Sequence, residues 1–161
     1  MKYPDYYIRN EKLCSMMETA IEKKEPILWL FTGAPGTGKT LAAEIMFEAL
    51  CQEIEHLQGQ AEKLTANELY YRYQNFARSK DYEERSQTKW CIKMLCNKIV
   101  LLDDLGSEPR TEASYAFMQN LFSVQYNWLR EGNRNFVIIT TNLNSNEITD
   151  IYGERVIDRI Y

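Results

Sequence analysis

The chain has 161 residues, a formal net charge of −4 and 45% hydrophobic residues. That balance suits one globular domain with a real core and excludes a polycation that coats nucleic acid by charge alone. No apolar run approaches the ~18 residues of a membrane span, and Met1-Lys2-Tyr3-Pro4-Asp5 shows no apolar signal segment. Four cysteines (Cys14, Cys51, Cys91, Cys96) form no C-x-x-C pair, and His56, the single histidine, completes no zinc pattern with them. Reduced thiols in a cytoplasmic protein, with no membrane partner, are the expectation.

Residues 7–23 carry partial helical spacing through Ile8, Leu13, Met16, Met17, Ala20 and Ile21, and Lys23-Lys24-Glu25-Pro26 stops that helix. Residues 27–32, Ile-Leu-Trp-Leu-Phe-Thr, are predicted as a buried strand. Residues 33–40 follow, and 41–51 are predicted as a helix with apolar residues at 41, 42, 45, 46, 49 and 50. Gly59 breaks the chain before a short strand over 60–64. Thr65 and Glu68 then have the spacing of a capping box that opens a helix over 66–78. Residues 79–85 are charged and predicted as a loop, and 86–96 as another helix. The continuous apolar run Ile99-Val100-Leu101-Leu102 suits a central parallel strand covered on both faces. A loop over 106–110 leads to a long amphipathic helix, 111–131, with Phe117, Met118, Leu121, Val124, Trp128 and Leu129 on one face and Gly132 where a terminating glycine belongs. Residues 135–141 are a further strand, and 146–161 a helix interrupted at Gly153. Strands alternating with helices predict a three-layer α/β fold with a mostly parallel sheet.

The chemistry begins at Gly33-Ala34-Pro35-Gly36-Thr37-Gly38-Lys39-Thr40, which matches G-x-x-x-x-G-K-[ST], the phosphate-binding loop. Strand, glycine-rich turn and helix are what that motif requires. The glycines let backbone N–H groups face phosphates, and the helix adds its positive N-terminal end. Lys39 neutralises the β- and γ-phosphates, the Thr40 hydroxyl holds Mg²⁺, and Leu41 completes the expected ATP contacts. The competing reading, an ordinary strand-to-helix turn, does not explain the whole pattern. Asp103 ends the apolar strand where ligands bind in such sheets and is the expected second metal residue. Asp104 is placed to orient and deprotonate an attacking water. The pair alone would equally suit a solvated turn; the upstream loop decides for the metal site. Thr140-Thr141-Asn142 closes the next strand, where a polar residue would lie between the γ-phosphate and the water. A turn-forming Asn there is the equal alternative.

These residues, with Asp103-Asp104-Leu105-Gly106, Thr140-Thr141-Asn142-Leu143 and Tyr152-Gly153-Glu154-Arg155-Val156-Ile157-Asp158-Arg159-Ile160, come in the order and spacing of AAA+ ATPases. In detail they resemble the DnaC-type helicase loaders and IstB-type transposition helpers. The resemblance covers residues 25–161, leaving 1–24 as an N-terminal helical segment. It implies that Asn142 is sensor 1, that the tail is the box VII helix, and that Arg159 is an arginine finger acting on ATP held by a neighbouring copy, with Arg155 a second basic contact. On residues alone, the plainer and favoured reading is that Arg155 and Arg159 are two surface arginines forming exposed ion pairs with Glu154 and Asp158. The family usually continues with a fifth strand and, in many members, a helical lid; the expectation here is a core ending just after box VII, without the lid.

Residues 63–98 hold eight Lys/Arg and four Asp/Glu, interleaved with Tyr70, Tyr71, Tyr73, Phe76, Tyr82 and Trp90. This is a candidate single-stranded DNA surface, set against the plainer reading that the aromatics pack on the sheet. The expected function is an oligomeric ATPase that loads or remodels a replicative helicase or a transposase. Two alternatives stand beside it: a nucleotide-dependent binding module with little hydrolysis, and a small-molecule kinase, against which Asn142 and the arginine tail argue.

Overall fold

The computed structural model describes residues 15, 18, 19, 22, 27–54, 60–78, 87–95, 98–132 and 136–160. The helix expected over 7–23, the loop over 79–85, His56 and Tyr82 lie largely or wholly outside them. Among the described residues, four strands form one sheet: β1 (Ile27–Thr32), β2 (Ala61–Thr65), β3 (Ile99–Leu105) and β4 (Phe136–Thr141). Their spatial order is β1-β4-β3-β2, and every pairing is parallel. The order matters, because β4 is inserted between the strand that leads into the glycine-rich loop and the strand that ends in Asp103-Asp104.

Among the described residues these helices connect and cover the strands: α1 (Lys39–Glu53), α2 (Ala66–Arg78), α3 (Gln87–Leu95), α4 (Glu112–Arg130), α5 (Ser145–Tyr152) and α6 (Glu154–Ile160). Successive side chains of a strand point to opposite faces, and β3 and β4 obey this closely. Ile99, Leu101, Phe136 and Ile138 pack with Ala43, Met46, Ala49 and Leu50 of α1. Val100, Leu102, Val137 and Ile139 face the other way, onto a larger core that includes Leu69, Phe117, Leu121, Ile148 and Val156 from the remaining helices. The three layers are therefore α1, the sheet, and α2–α6. Strands buried on both faces need no polar alternation, which is why β3 and β4 read as unbroken apolar runs.

Aromatic rings fill the second layer. Tyr73 stacks on Phe117 with ring centroids 4.5 Å apart, and Trp90 meets Phe117 at 5.9 Å. Tyr70 and Trp90 are buried. Such pairs contribute about 0.5–1.5 kcal/mol each beyond the area they bury. The rings that the sequence offers as base-stacking faces are thus mostly spent on the core where they are described, and among the described ones Tyr71 is the exposed one. Arg72, from the same segment, is held by Glu62 and Glu68.

Helix ends follow local chemistry. The α4 cap is a reciprocal box between Thr111 and Ser114, and the α5 cap a second one between Asn144 and Glu147. At Thr65 the box is half made. The Glu68 N–H donates to Thr65 Oγ1 at 3.1 Å, but the Glu68 carboxylate turns to Arg72 at 2.7 Å instead of reaching back. Thr65 belongs to β2, which commits its backbone to the sheet, and the i,i+4 arginine competes for the carboxylate. At the far end of α4, the Gly132 N–H closes on Leu129 O at 3.0 Å with φ 77°, the terminating role its position predicted.

Candidate functional site

The glycine-rich loop joins β1 to α1. Gly33, Gly36 and Gly38 all take positive φ, and the loop closes on itself through Thr37 Oγ1 donating to Ala34 O at 2.9 Å. Gly38, at φ 84°, is the residue before α1, and no side chain caps that helix. A left-handed glycine there turns the chain directly into the helix, and the first N–H groups stay available for an anion. Lys39 lies over the loop. Its ammonium donates to Gly33 O at 2.7 Å, Ala34 O at 2.8 Å and Asn142 Oδ1 at 2.9 Å, which uses all three of its protons.

Across from the loop, β3 departs from regular pairing. Leu102 pairs with Ile139 and Leu105 with Thr141, so three steps along β3 match two along β4. This is a one-residue bulge at Asp103-Asp104, and Asp104 takes φ 57°, the left-handed region an aspartate tolerates better than most residues. In a regular strand, neighbouring side chains would face opposite sides. The bulge lets Asp103 and Asp104 line one cleft.

That cleft, about 490 Å³, is bounded by Pro35, Gly36, Gly38, Lys39, Thr40 and Leu41 on one side and by Asp103, Asp104, Thr140, Thr141 and Asn142 on the other. Thr40 Oγ1 donates to Asp103 Oδ1 at 3.0 Å, and Asn142 Nδ2 donates to Asp104 Oδ1 at 3.1 Å. Residues from three distant stretches of chain therefore meet at the carboxyl ends of β1, β3 and β4, where open α/β sheets bind ligands. Leu41, the first apolar residue of α1 beyond Thr40, is not core; it is 46% exposed at the rim.

Arg155 and Arg159 do not line this cleft. They border a second one of about 370 Å³ with Gln119, Ser123, Tyr152 and Glu154. Arg159 is held within its own chain, donating to Ser123 Oγ and lying over the Tyr126 ring at 5.8 Å. Arg155 is exposed. No group of three or more His, Cys, Asp or Glu that could hold a metal occurs among the described residues, and no helix among them is long and apolar enough to cross a membrane.

Two residues were given no role of their own by the sequence reading. Thr140 Oγ1 donates to Asp103 Oδ1 at 2.5 Å and accepts from the Asp104 N–H at 2.9 Å. Glu108, in the loop after β3, is buried; it accepts from the Gly106 N–H at 3.0 Å and from the Tyr152 hydroxyl. Thr140 stands in the run Thr140-Thr141-Asn142, and as the first polar residue after Phe136-Val137-Ile138-Ile139 it could have been given a role of its own. Nothing local marks Glu108, because loop carboxylates are usually solvated.

A parallel sheet with a phosphate-binding loop after β1, an acidic pair at the end of β3 and a polar end to the strand between them defines a P-loop nucleotide-binding fold. The model for the "ATPase family associated with various cellular activities (AAA)" matches residues 29–160, and the chain belongs to that family. No curated protein matches the chain. Among solved structures the fold is similar to the DnaC helicase loader, with TM-score 0.70 and 24% identity, covering 99% of this chain and 89% of that one. It is also similar to a DNA replication initiation factor (TM-score 0.64, 16% identity, 94% of this chain and 43% of that one). AMPPCP-bound DnaA from Aquifex aeolicus gives TM-score 0.60 at 12% identity, over 99% of this chain and 45% of that one. At these identities the likeness is one of fold.

Proposed function

We propose that the chain binds ATP with Mg²⁺ in the cleft between the glycine-rich loop and Asp103-Asp104, and hydrolyses it in an assembly that loads or remodels a DNA-replication partner. The observation that carries this is the convergence of Lys39, Thr40, Asp103, Asp104 and Asn142 on one cleft. The residues suit the ligands. The uncapped start of α1 and the Lys39 ammonium match a polyphosphate, and a hydroxyl beside a carboxylate is a hard oxygen pair of the kind Mg²⁺ takes while keeping its waters.

When bound, Mg·ATP supplies a phosphoanhydride whose terminal phosphoryl group can be passed to water, with the metal neutralising charge on its oxygens. Backbone N–H groups of residues 36–40 would hold the phosphates, and Leu41 would shield the open side. Lys39 exchanges Asn142 for phosphate oxygen. Asn142, still tied to Asp104, orients the water, and Asp104 takes its proton. Thr40 and Asp103 hold the metal. Arg155 and Arg159, which do not line their own chain's cleft, serve the cleft of a neighbouring copy, where a guanidinium is worth about 10³–10⁵ in rate. On this reading the ATPase core is 25–161, preceded by the N-terminal segment 1–24. The partner is a replicative helicase, as the name of the DnaC helicase loader suggests, or a transposase, with single-stranded DNA beside it.

A second reading, a nucleotide-dependent binding module with little turnover, draws on one observation: Arg159 is tied to Ser123 and Tyr126 of its own chain. ATP turnover per chain, measured over a range of protein concentrations with and without single-stranded DNA, separates the two. Turnover that rises with concentration supports the assembled ATPase. A flat, near-zero rate with ATP still bound supports the binding module. Unchanged ATP affinity in Lys39→Ala would overturn the nucleotide site itself.

A further inference from the structure

Asp103 and Asp104 occupy the bulge of β3, and a bulge has a specific weakness. The extra residue has no ladder partner, so its backbone and side-chain directions are under-determined by the sheet. Here the gap is filled from β4. Thr140 is 2% exposed, and its one hydroxyl does two things at once. It donates its proton to Asp103 Oδ1 at 2.5 Å, and it accepts the N–H of Asp104 at 2.9 Å. A hydroxyl has one proton and two lone pairs, so both bonds are made without conflict. The first fixes the plane of the Asp103 carboxylate. The second pins the backbone of Asp104 at φ 57°. Thr40, from α1, donates to the same Asp103 oxygen at 3.0 Å, so that oxygen is set between a buried hydroxyl from the sheet and an exposed one from the helix.

The neighbouring Thr141 plays a different part. It is buried too, but its hydroxyl donates to Leu105 O at 2.6 Å and accepts from the Leu143 N–H at 3.1 Å. Its bonds stay within backbone, beyond the bulge, and stop the strand. Of the two threonines, Thr140 alone touches both acidic residues among the hydrogen bonds of the described residues.

We propose that Thr140 is the positioning residue of the metal site: its hydroxyl aims the Asp103 carboxylate at Mg²⁺ and holds the bulge that presents Asp104 to the water. The proposal rests on the nucleotide-site reading above. Residues that orient a metal ligand through a hydrogen bond typically cost 10–100-fold in metal affinity when removed. Valine has nearly the shape of threonine and no hydroxyl, while serine keeps the hydroxyl and loses the methyl. The pair therefore separates hydrogen bonding from packing.

The test uses the full chain, a fluorescent ATP analogue and MgCl₂. Analogue affinity is measured first in EDTA and then as Mg²⁺ is titrated. The expected result is an unchanged affinity in EDTA for Thr140→Val, because the loop and Lys39 are untouched. Its Mg²⁺ midpoint should rise by about tenfold or more, and Thr140→Ser should stay within about threefold of wild type on the same scale. A Thr149→Val control, which removes a hydroxyl that bonds only Ser145 O on α5, should leave the midpoint where it is. A Mg²⁺ midpoint that Thr140→Val shares with wild type would overturn the proposal while leaving the nucleotide site standing. Equal shifts in the Val and Ser variants would overturn it too, since packing would then be the cause. A wild-type chain that binds no analogue in either condition would take down the nucleotide site and this inference together.

Discussion

Tyr152→Phe removes one oxygen from a buried side-chain pair, Tyr152 with Glu108. Tyr152 is 1% exposed and Glu108 3% exposed, so water cannot replace what is lost. The hydroxyl donates to Glu108 Oε1, and the Gly106 N–H holds Oε2 at 3.0 Å. Phenylalanine keeps the ring and its edge contact with Tyr115 at 5.9 Å, which leaves Oε1 as a buried acceptor without a partner. Stranding a buried acceptor costs about 1–3 kcal/mol. At about 2–4 °C per kcal/mol for a domain of this size, a loss near 2 kcal/mol lowers Tm by about 4–8 °C. Urea unfolding and calorimetry both read this. A cycle with Glu108→Met isolates the pair, and its coupling energy should lie between about 0.5 and 3 kcal/mol. The pH dependence supplies an independent check. Burial, and then the nearby Glu108 carboxylate, drives the Tyr152 pKa upward. The folded pKa is therefore above the unfolded one, about 10. Below pH 10 both states keep the proton and the contribution is complete. Above it the unfolded chain releases the proton while the native chain holds it, so stability falls as pH rises. The gap between wild type and Tyr152→Phe should narrow above about pH 10. A variant within about 0.5 kcal/mol of wild type, or a gap that widens with alkali, would refute the reasoning.

Two further substitutions probe the bulge and its surroundings. Asp104→Asn should unfold within about 0.5 kcal/mol of wild type, since asparagine tolerates φ 57°, while Asp104→Ala should lose about 1–2 kcal/mol; turnover in the asparagine variant should fall about 10²–10⁴-fold if the carboxylate takes the proton from water, and retention of rate would remove that role. Gly106→Ala puts a Cβ 2.8 Å from Leu143 Cδ1 at φ 102°, and should cost about 1–3 kcal/mol in urea unfolding even if Leu143 swings clear, because the φ itself is strained; stability equal to wild type would refute this.

Much of this architecture was legible because each element has its own local signature. Residues 33–40 announce a phosphate loop by spacing alone, and the apolar runs of β3 and β4 announce buried parallel strands. What stayed hidden depends on register or on partners far along the chain. The bulge at Asp103-Asp104 is a slip of one residue against β4, and no pattern within β3 reveals it. Thr140 looks like any strand threonine until β3 is laid beside it. Tyr70 and Trp90 were as suitable for stacking on bases as for the core, since helical spacing puts an aromatic on a face without saying which neighbour covers it. Glu108 gains its meaning from Tyr152, 44 positions later.

Lys39 and Asn142 touch across 103 positions of chain. A chain emerging at about 5–20 residues per second therefore has its phosphate loop outside the ribosome for roughly 5–20 s before β4 can arrive to complete the cleft. Nascent chains paused in that interval would carry the motif and no pocket, so nucleotide capture would report the finished sheet. A stalled-chain series ending on either side of β4 would date the birth of the site.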